Sequence, residues 1–88
     1  MDSFSVVFKS SAEKDLRSLS KDLLVRVLQE IESLRAEPFP RDSLKLAGAE
    51  RLYRVRVGDY RIVYEVDTKA KQLIIHYVRH RGAVYRRL

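Results

Sequence analysis

The sequence predicts an α+β fold with an N-terminal strand, a two-helix hairpin and a three-stranded antiparallel meander. The helices are expected to pack on one face of the resulting four-stranded sheet. Three observations lead to this prediction: a short Val- and Phe-rich opening, helical spacing of apolar residues in the first half, and strand-like alternation in the second. The 88 residues are enough for one domain, residues 1–88, with one modest core.

The first half of the chain is predicted to form one strand and two helices. Residues 4–9 (FSVVFK) read as the strand. Ser10 followed by Glu13 matches the capping-box pattern and predicts the start of the first helix. Ser20 is expected to cap the second helix, over residues 21–36. Five apolar residues of this helix share one face at three- and four-residue spacing, which predicts their burial: Leu24, Val27, Leu28, Ile31 and Leu34.

The second half of the chain is predicted to form the meander. Strand patterns occur at residues 52–57, 60–66 and 72–79. Only Gly58 and Asp59 separate the first two strands, which is the length of a two-residue hairpin turn. This turn fixes the pairing register of the first two strands.

The hairpin register sorts the side chains of these two strands onto opposite faces. One face is predicted to pack against the helices and holds Tyr53, Val55, Val57, Tyr60, Ile62 and Tyr64. The other face holds Arg54, Arg56 and Arg61, with Arg56 directly opposite Arg61. Like charges placed this way destabilise a sheet by some tenths of a kcal/mol up to ~1 kcal/mol. Either these arginines are ordinary solvated residues, or an anion such as phosphate lies between them.

The basic residues are concentrated in the second half of the chain. The net charge is +6, of which residues 1–43 contribute −1 and residues 44–88 contribute +7. His80 and Tyr85 lie among these cations, an arrangement typical of single-stranded RNA binding. The distribution therefore favours an anionic partner.

Several classes of protein are disfavoured by what the sequence lacks. It contains no cysteine, which excludes Cys-based zinc sites and thiol nucleophiles. It has neither the layout of a signal peptide nor an apolar run long enough to span a bilayer. We therefore expect a cytoplasmic protein without a membrane partner, a metal or a cofactor.

The order of motifs resembles one known family. An S-A-E-K-D-L helix, a second helix, K-L-x-G, L-Y-R-V-R-V-G-D-Y-R-I-V-Y-E-V and H-R-x-x-V-Y follow one another as in the RelE/ParE superfamily of bacterial toxins, near its RelE branch. The resemblance covers about residues 4–85. It implies a type II toxin neutralised by a cognate antitoxin. The RelE branch further implies a ribosome-dependent endonuclease that cuts messenger RNA in the ribosomal A site.

The resemblance also implies roles for individual residues. Arg61 matches the arginine that stabilises the transition state, Arg81 best matches a second catalytic arginine, and Tyr85 matches the catalytic tyrosine. The segment before Tyr85 is shorter than in the best-known member, so Arg79 stays an alternative to Arg81. His80 lies where relatives have a basic residue or a histidine. Binding of RNA phosphates is expected of Lys45, Arg54, Arg56, Arg79 and Arg86.

These assignments lead to a mechanism without a metal. Arginine remains protonated and is a poor proton carrier, which leaves Tyr85 and His80 as the candidates for proton transfer. Tyr85 is assigned as the base. His80 or Arg81 is expected to serve the leaving group. Two other functions stay open: a ParE-like toxin that binds and inhibits DNA gyrase without nuclease activity, and an RNA-binding module that has lost catalysis.

Overall fold

A five-stranded mixed sheet and two helices make up the computed structural model, which describes residues 3–46, 48 and 51–82. The elements are β1 (Ser5–Phe8), α1 (Ser10–Arg17), α2 (Lys21–Ala36), β2 (Leu44–Lys45), β3 (Leu52–Val57), β4 (Tyr60–Asp67) and β5 (Gln72–His80). Their order in the sheet is β1-β5-β4-β3-β2, with β1 parallel to β5 and the other pairs antiparallel. The α+β class and the β3–β5 meander are thus confirmed.

The predicted number of strands was wrong, because the sheet has a fifth strand. Residues 44–45 form the two-residue β2, which pairs with the first half of β3. A strand of two residues is too short for its alternation to be recognised. It forms because β3 offers it an edge, and that depends on tertiary structure.

The core lies between α2 and one face of the sheet. Val27, Ile31 and Leu34 of α2 are buried against strand residues that the hairpin register assigned to this face. The fully buried strand side chains include Val55, Ile62, Tyr64, Leu73 and Ile75. The predicted packing face is therefore confirmed for the hairpin. Leu28, predicted to be buried, is instead 43% exposed, because the buried stripe of α2 is narrower than the apolar pattern.

The two helices begin in different ways. Ser20 caps α2 as predicted, since its hydroxyl oxygen accepts a hydrogen bond from Leu23 N at 3.3 Å. The predicted capping box of α1 is wrong: Lys9 occupies the N-cap position and no side chain caps the helix. The next serine, Ser11, turns to the sheet instead and donates to the carbonyl oxygen of His76 at 2.7 Å.

α1 covers part of the edge of β5. β1 pairs only with the first half of β5, from Gln72 to Ile75. Beyond that point, Ser11 binds the His76 carbonyl and Asp15 accepts a hydrogen bond from Val78 N at 3.1 Å. Side chains of α1 thus replace a neighbouring strand and satisfy backbone groups that an edge would leave open.

The hairpin between β3 and β4 has the predicted register, from Leu52 opposite Glu65 to Val57 opposite Tyr60. Gly58 has a φ of 61°, the left-handed value that the first position of such a turn needs. Between β4 and β5 the register shifts by one residue at His76, which forms a β-bulge. In the described ranges, neither helix is long and apolar enough to cross a membrane.

Candidate nucleic-acid interface

Three arginines lie side by side across the meander, on the face that points away from the core. Arg56 of β3 is paired with Arg61 of β4, and Arg61 is paired with Arg79 of β5. Neighbouring strands are about 5 Å apart, so the three Cα atoms span about 10 Å. We call these three residues the arginine row. The pairing of Arg56 with Arg61 confirms the hairpin prediction, and Arg79 extends it by one strand.

The members of the arginine row differ in burial. Arg56 is exposed, Arg79 is half-buried, and Arg61 is only 8% exposed with its Nε and Nη1 atoms enclosed. Its neighbour on the same face, Val63, is 3% exposed. Arg61 and Val63 at the centre of this face are therefore shielded from solvent, whereas Arg56 is a solvated surface residue. A guanidinium enclosed in this way has a stronger electrostatic effect on nearby groups than one in water.

Arg79 is fixed by two neighbours. Its Nε atom donates to Asp15 Oδ2 at 3.1 Å, and its guanidinium carbon lies 4.2 Å from the centre of the Tyr77 ring. The first is a charge-assisted hydrogen bond and the second is a cation–π contact. Arg79 is thus held in one orientation along β5.

His80 and Arg81 follow at the end of β5. His80 is paired with Tyr60, and the two rings meet edge to face with centroids 5.5 Å apart. Because Tyr60 packs against the core cluster, His80 lies on the opposite side of the sheet from the arginine row. The Arg81 backbone N–H donates to the Asp59 carbonyl at 2.9 Å, which brings exposed Arg81 beside the hairpin turn.

The remaining predicted site residues are placed in different ways. Arg54 is half-buried on the side of the arginine row, where it pairs with Val63 and Leu44. Lys45 pairs with Tyr53 and therefore lies on the side of the helices. The structure brings neither Lys45 nor His80 to the arginine row. Tyr85 and Arg86 lie outside the described residues, and the roles assigned to all these residues stay predictions.

An acidic group occupies the other end of the same face. Arg51 is paired with Asp67 at 3.1 Å and with Glu65 at 3.7 Å, and His76 Nε2 lies 3.1 Å from Glu65 Oε1. The carboxylates of Glu65 and Asp67 thus lie at the end of this face opposite the hairpin turn. This separation leaves a positive potential near the hairpin end of the sheet.

Sequence reasoning missed Asp15 and Tyr77, the two residues that hold Arg79. Tyr77 follows from alternation, because residues two apart in a strand share a face. Asp15 gives no such signal, since only the folded chain shows that α1 lies along the edge of β5. It sits within the S-A-E-K-D-L segment that carries the family resemblance.

Comparison with known proteins identifies the family of this chain. The sequence-family model described as the ParE toxin of type II toxin–antitoxin systems matches residues 6–85. The chain belongs to this family, within the RelE/ParE superfamily. Toxin RelG of Mycobacterium tuberculosis is 32% identical, in an alignment that covers 96% of this chain and 98% of RelG.

Solved structures of relatives share the fold. A chain of the archaeal RelE–RelB complex from Pyrococcus horikoshii is 38% identical, with a TM-score of 0.80 over 91% of this chain and 97% of that chain. A chain of the RelB–RelE antitoxin–toxin complex from Methanococcus jannaschii is 28% identical, with a TM-score of 0.76 over 93% of this chain and 98% of that one.

Proposed function

We propose that this protein is the toxin of a type II toxin–antitoxin module and acts in the cytoplasm as a ribosome-dependent messenger RNA endonuclease. The arginine row is the observation that supports this proposal most strongly. Three arginines at adjacent register positions of one face concentrate positive charge that a nucleic-acid backbone would complement. Arginine binds phosphate oxygens through two parallel hydrogen bonds, which fixes the position of the phosphate as well as its charge.

The proposed reaction is a metal-independent transesterification. The 2′-hydroxyl attacks the adjacent phosphorus, and the bond from phosphorus to the 5′-oxygen of the next nucleotide breaks. The products are a 2′,3′-cyclic phosphate and a 5′-hydroxyl. Tyr85 accepts the proton of the 2′-hydroxyl, and Arg61 with Arg81 stabilises the negative charge of the phosphorane.

The leaving 5′-oxygen requires a partner that donates a proton or stabilises its charge. Arg81 and His80 are the two candidates, and the geometry favours Arg81. Arg81 follows the strand that carries Arg79, whereas His80 contacts Tyr60 on the other side of the sheet. Arg54 and Arg56 then bind neighbouring phosphates of the RNA strand, with Arg86 and Lys45 as further candidates.

The proposed protein partner is a cognate antitoxin. Two of the solved relatives are RelE–RelB complexes, from P. horikoshii and M. jannaschii. We expect an antitoxin with an acidic or amphipathic segment that covers the basic face. A short reading frame beside this gene, whose co-expression restores the growth of cells making the toxin, would support this pairing.

The function is tested by expressing the chain and mapping the 5′ ends of cellular transcripts. We expect new ends within codons of translated messages for the wild type and none for Tyr85→Phe, which should still bind ribosomes. Tyr53→Phe, a control on the helix side of the sheet, should cut like the wild type. Equal cleavage by the Tyr85→Phe variant would contradict the proposed mechanism.

A second candidate function is inhibition of DNA gyrase. It is favoured by the description of the matching family model, which is that of a ParE toxin. Purified protein should then block supercoiling by gyrase while transcripts stay intact. Transcript cleavage without any effect on gyrase would leave the nuclease as the function.

A further inference from the structure

Asp15 connects α1 to the arginine row through a single oxygen atom. Its Oδ2 atom accepts one hydrogen bond from the Val78 backbone N–H and another from Arg79 Nε, both at 3.1 Å. The carboxylate is mostly shielded from water, with its side chain 17% exposed against 23% for Arg79. An ion pair with this burial and two hydrogen bonds is firmer than a pair on an open surface.

The contact with Asp15 determines which edge of the Arg79 guanidinium remains for a ligand. Nε is occupied by Asp15, and one face of the group lies over the Tyr77 ring. Neither Nη atom of Arg79 makes a hydrogen bond within residues 3–46, 48 and 51–82. The Nη1–Nη2 edge carries donors in the planar fork that fits two phosphate oxygens.

We propose that Asp15 is a positioning residue of the RNA site, which fixes Arg79 so that its Nη1–Nη2 edge faces a phosphate of the bound strand. This inference rests on the proposed function, since it assigns a task within the same site. Asp15 does not touch the RNA in this arrangement. It acts through Arg79. The helix α1 thereby supports the RNA site as well as covering the edge of β5.

Whether Asp15→Asn raises or lowers the cleavage rate distinguishes a positioning role of Asp15 from a purely electrostatic one. Asp15→Asn removes one negative charge next to the site, so simple attraction predicts tighter RNA binding and equal or faster cleavage. Positioning predicts the opposite, because an amide oxygen can still accept from Val78 N but holds the Arg79 cation weakly. Misplacing a catalytic or binding group by about an ångström can lower a rate by about a hundredfold, and we expect a loss of about ten- to a hundredfold here.

Two matched controls isolate this effect. Ser11→Ala removes the other side-chain hydrogen bond from α1 to the edge of β5 and does not touch Arg79. It should lower the melting temperature without slowing cleavage. Asp22→Asn makes the same charge change in the first turn of α2. It should leave the cleavage rate within about twofold, because Asp22 is exposed and its charge is screened by water and salt.

The decisive measurement is a double-mutant cycle on cleavage by programmed ribosomes. If Asp15 acts through Arg79, Asp15→Asn should slow the wild type but have no further effect in an Arg79→Gln background. The loss should appear in the maximal rate of bound complexes rather than only in KM. Additive losses, or a rate that stays the same or rises in Asp15→Asn, would overturn the inference.

An independent readout keeps the inference testable if the protein cuts no RNA. The Arg79 Nε–H resonance of the wild type should exchange slowly with water and should shift when inorganic phosphate is titrated. Both properties should be lost in Asp15→Asn and kept in Ser11→Ala. A wild type without cleavage that still shows this pattern would refute the nuclease and retain the positioning role. Unchanged phosphate binding by Asp15→Asn would refute the positioning role alone.

Discussion

The repulsion between Arg56 and Arg61 gives a prediction in which stability and RNA binding change in opposite directions. Arg56 is exposed and directly opposite Arg61, which is enclosed. Like charges in this relation destabilise a sheet by about 0.3–1 kcal/mol. Arg56→Gln should recover this free energy, and in a domain of this size about 1 kcal/mol raises the melting temperature by roughly 4–8 °C. We therefore expect Arg56→Gln to melt about 1–8 °C above the wild type at low salt.

The same substitution should weaken RNA binding. Each phosphate contact to single-stranded RNA contributes about 0.7 to the slope of log affinity against log salt concentration. Loss of one contact should lower that slope by about this amount, measured by fluorescence anisotropy of a labelled single-stranded RNA over a series of salt concentrations. Lys69→Gln, which removes the same charge from an exposed turn, is the control and should change neither quantity.

One combination of results would refute this reasoning. If Arg56→Gln melts below the wild type and keeps the salt slope, Arg56 stabilises the fold and binds no phosphate. Arg56 and Arg61 would then be an ordinary part of the sheet surface. The nuclease proposal would lose its strongest support.

Four further predictions concern the fold. The Tyr64 hydroxyl donates to the buried Pro38 carbonyl at 2.8 Å, so Tyr64→Phe should lower the free energy of unfolding by about 1–3 kcal/mol in urea titrations. Burial raises the pKa of Tyr64 from 10.0 to about 12. The free energy of unfolding of the wild type should therefore fall by up to roughly 3 kcal/mol between pH 10 and 12, and Tyr64→Phe should lack this part of the loss. Gly58→Ala places a side chain at a φ of 61° and should lower stability by about 1–2 kcal/mol, seen as a lower melting temperature. The hydrogen bond from Ala70 N lowers the pKa of Asp67. The ionised Asp67 carboxylate therefore stabilises the folded state above pH ~4, and this stabilisation is lost on acidification. Asp67→Asn should lack this part of the loss when the free energy of unfolding is measured against pH.

The local rules of the sequence predicted the hairpin well. A two-residue turn allows only one register, so Arg56 opposite Arg61 and the packing face of β3 and β4 followed directly. Ser20 was also recognised correctly, because a cap depends only on the first turn of its own helix. These features rest on contacts between residues that are close in the sequence.

Features that depend on distant contacts escaped prediction. The turn of residues 68–71 fixes no register, and the bulge at His76 shifts β5, so the position of Arg79 beside Arg61 required the structure. The burial of Arg61 likewise depends on what covers the face. The local pattern predicts Ser10 as the cap of α1, whereas Lys9 occupies that position in the folded chain.

The cover that α1 provides for β5 has a consequence for how the protein behaves in a crowded cell. An uncovered half-strand would offer backbone groups to the strands of other molecules, which is a common route to aggregation. Ser11 and Asp15 close that route by occupying the His76 carbonyl and the Val78 N–H. The Asp15 carboxylate both covers the edge of β5 and orients Arg79. Asp15→Leu should therefore make the protein less soluble as well as less toxic. Cells that survive because their toxin carries such a substitution of Asp15 would then accumulate insoluble protein.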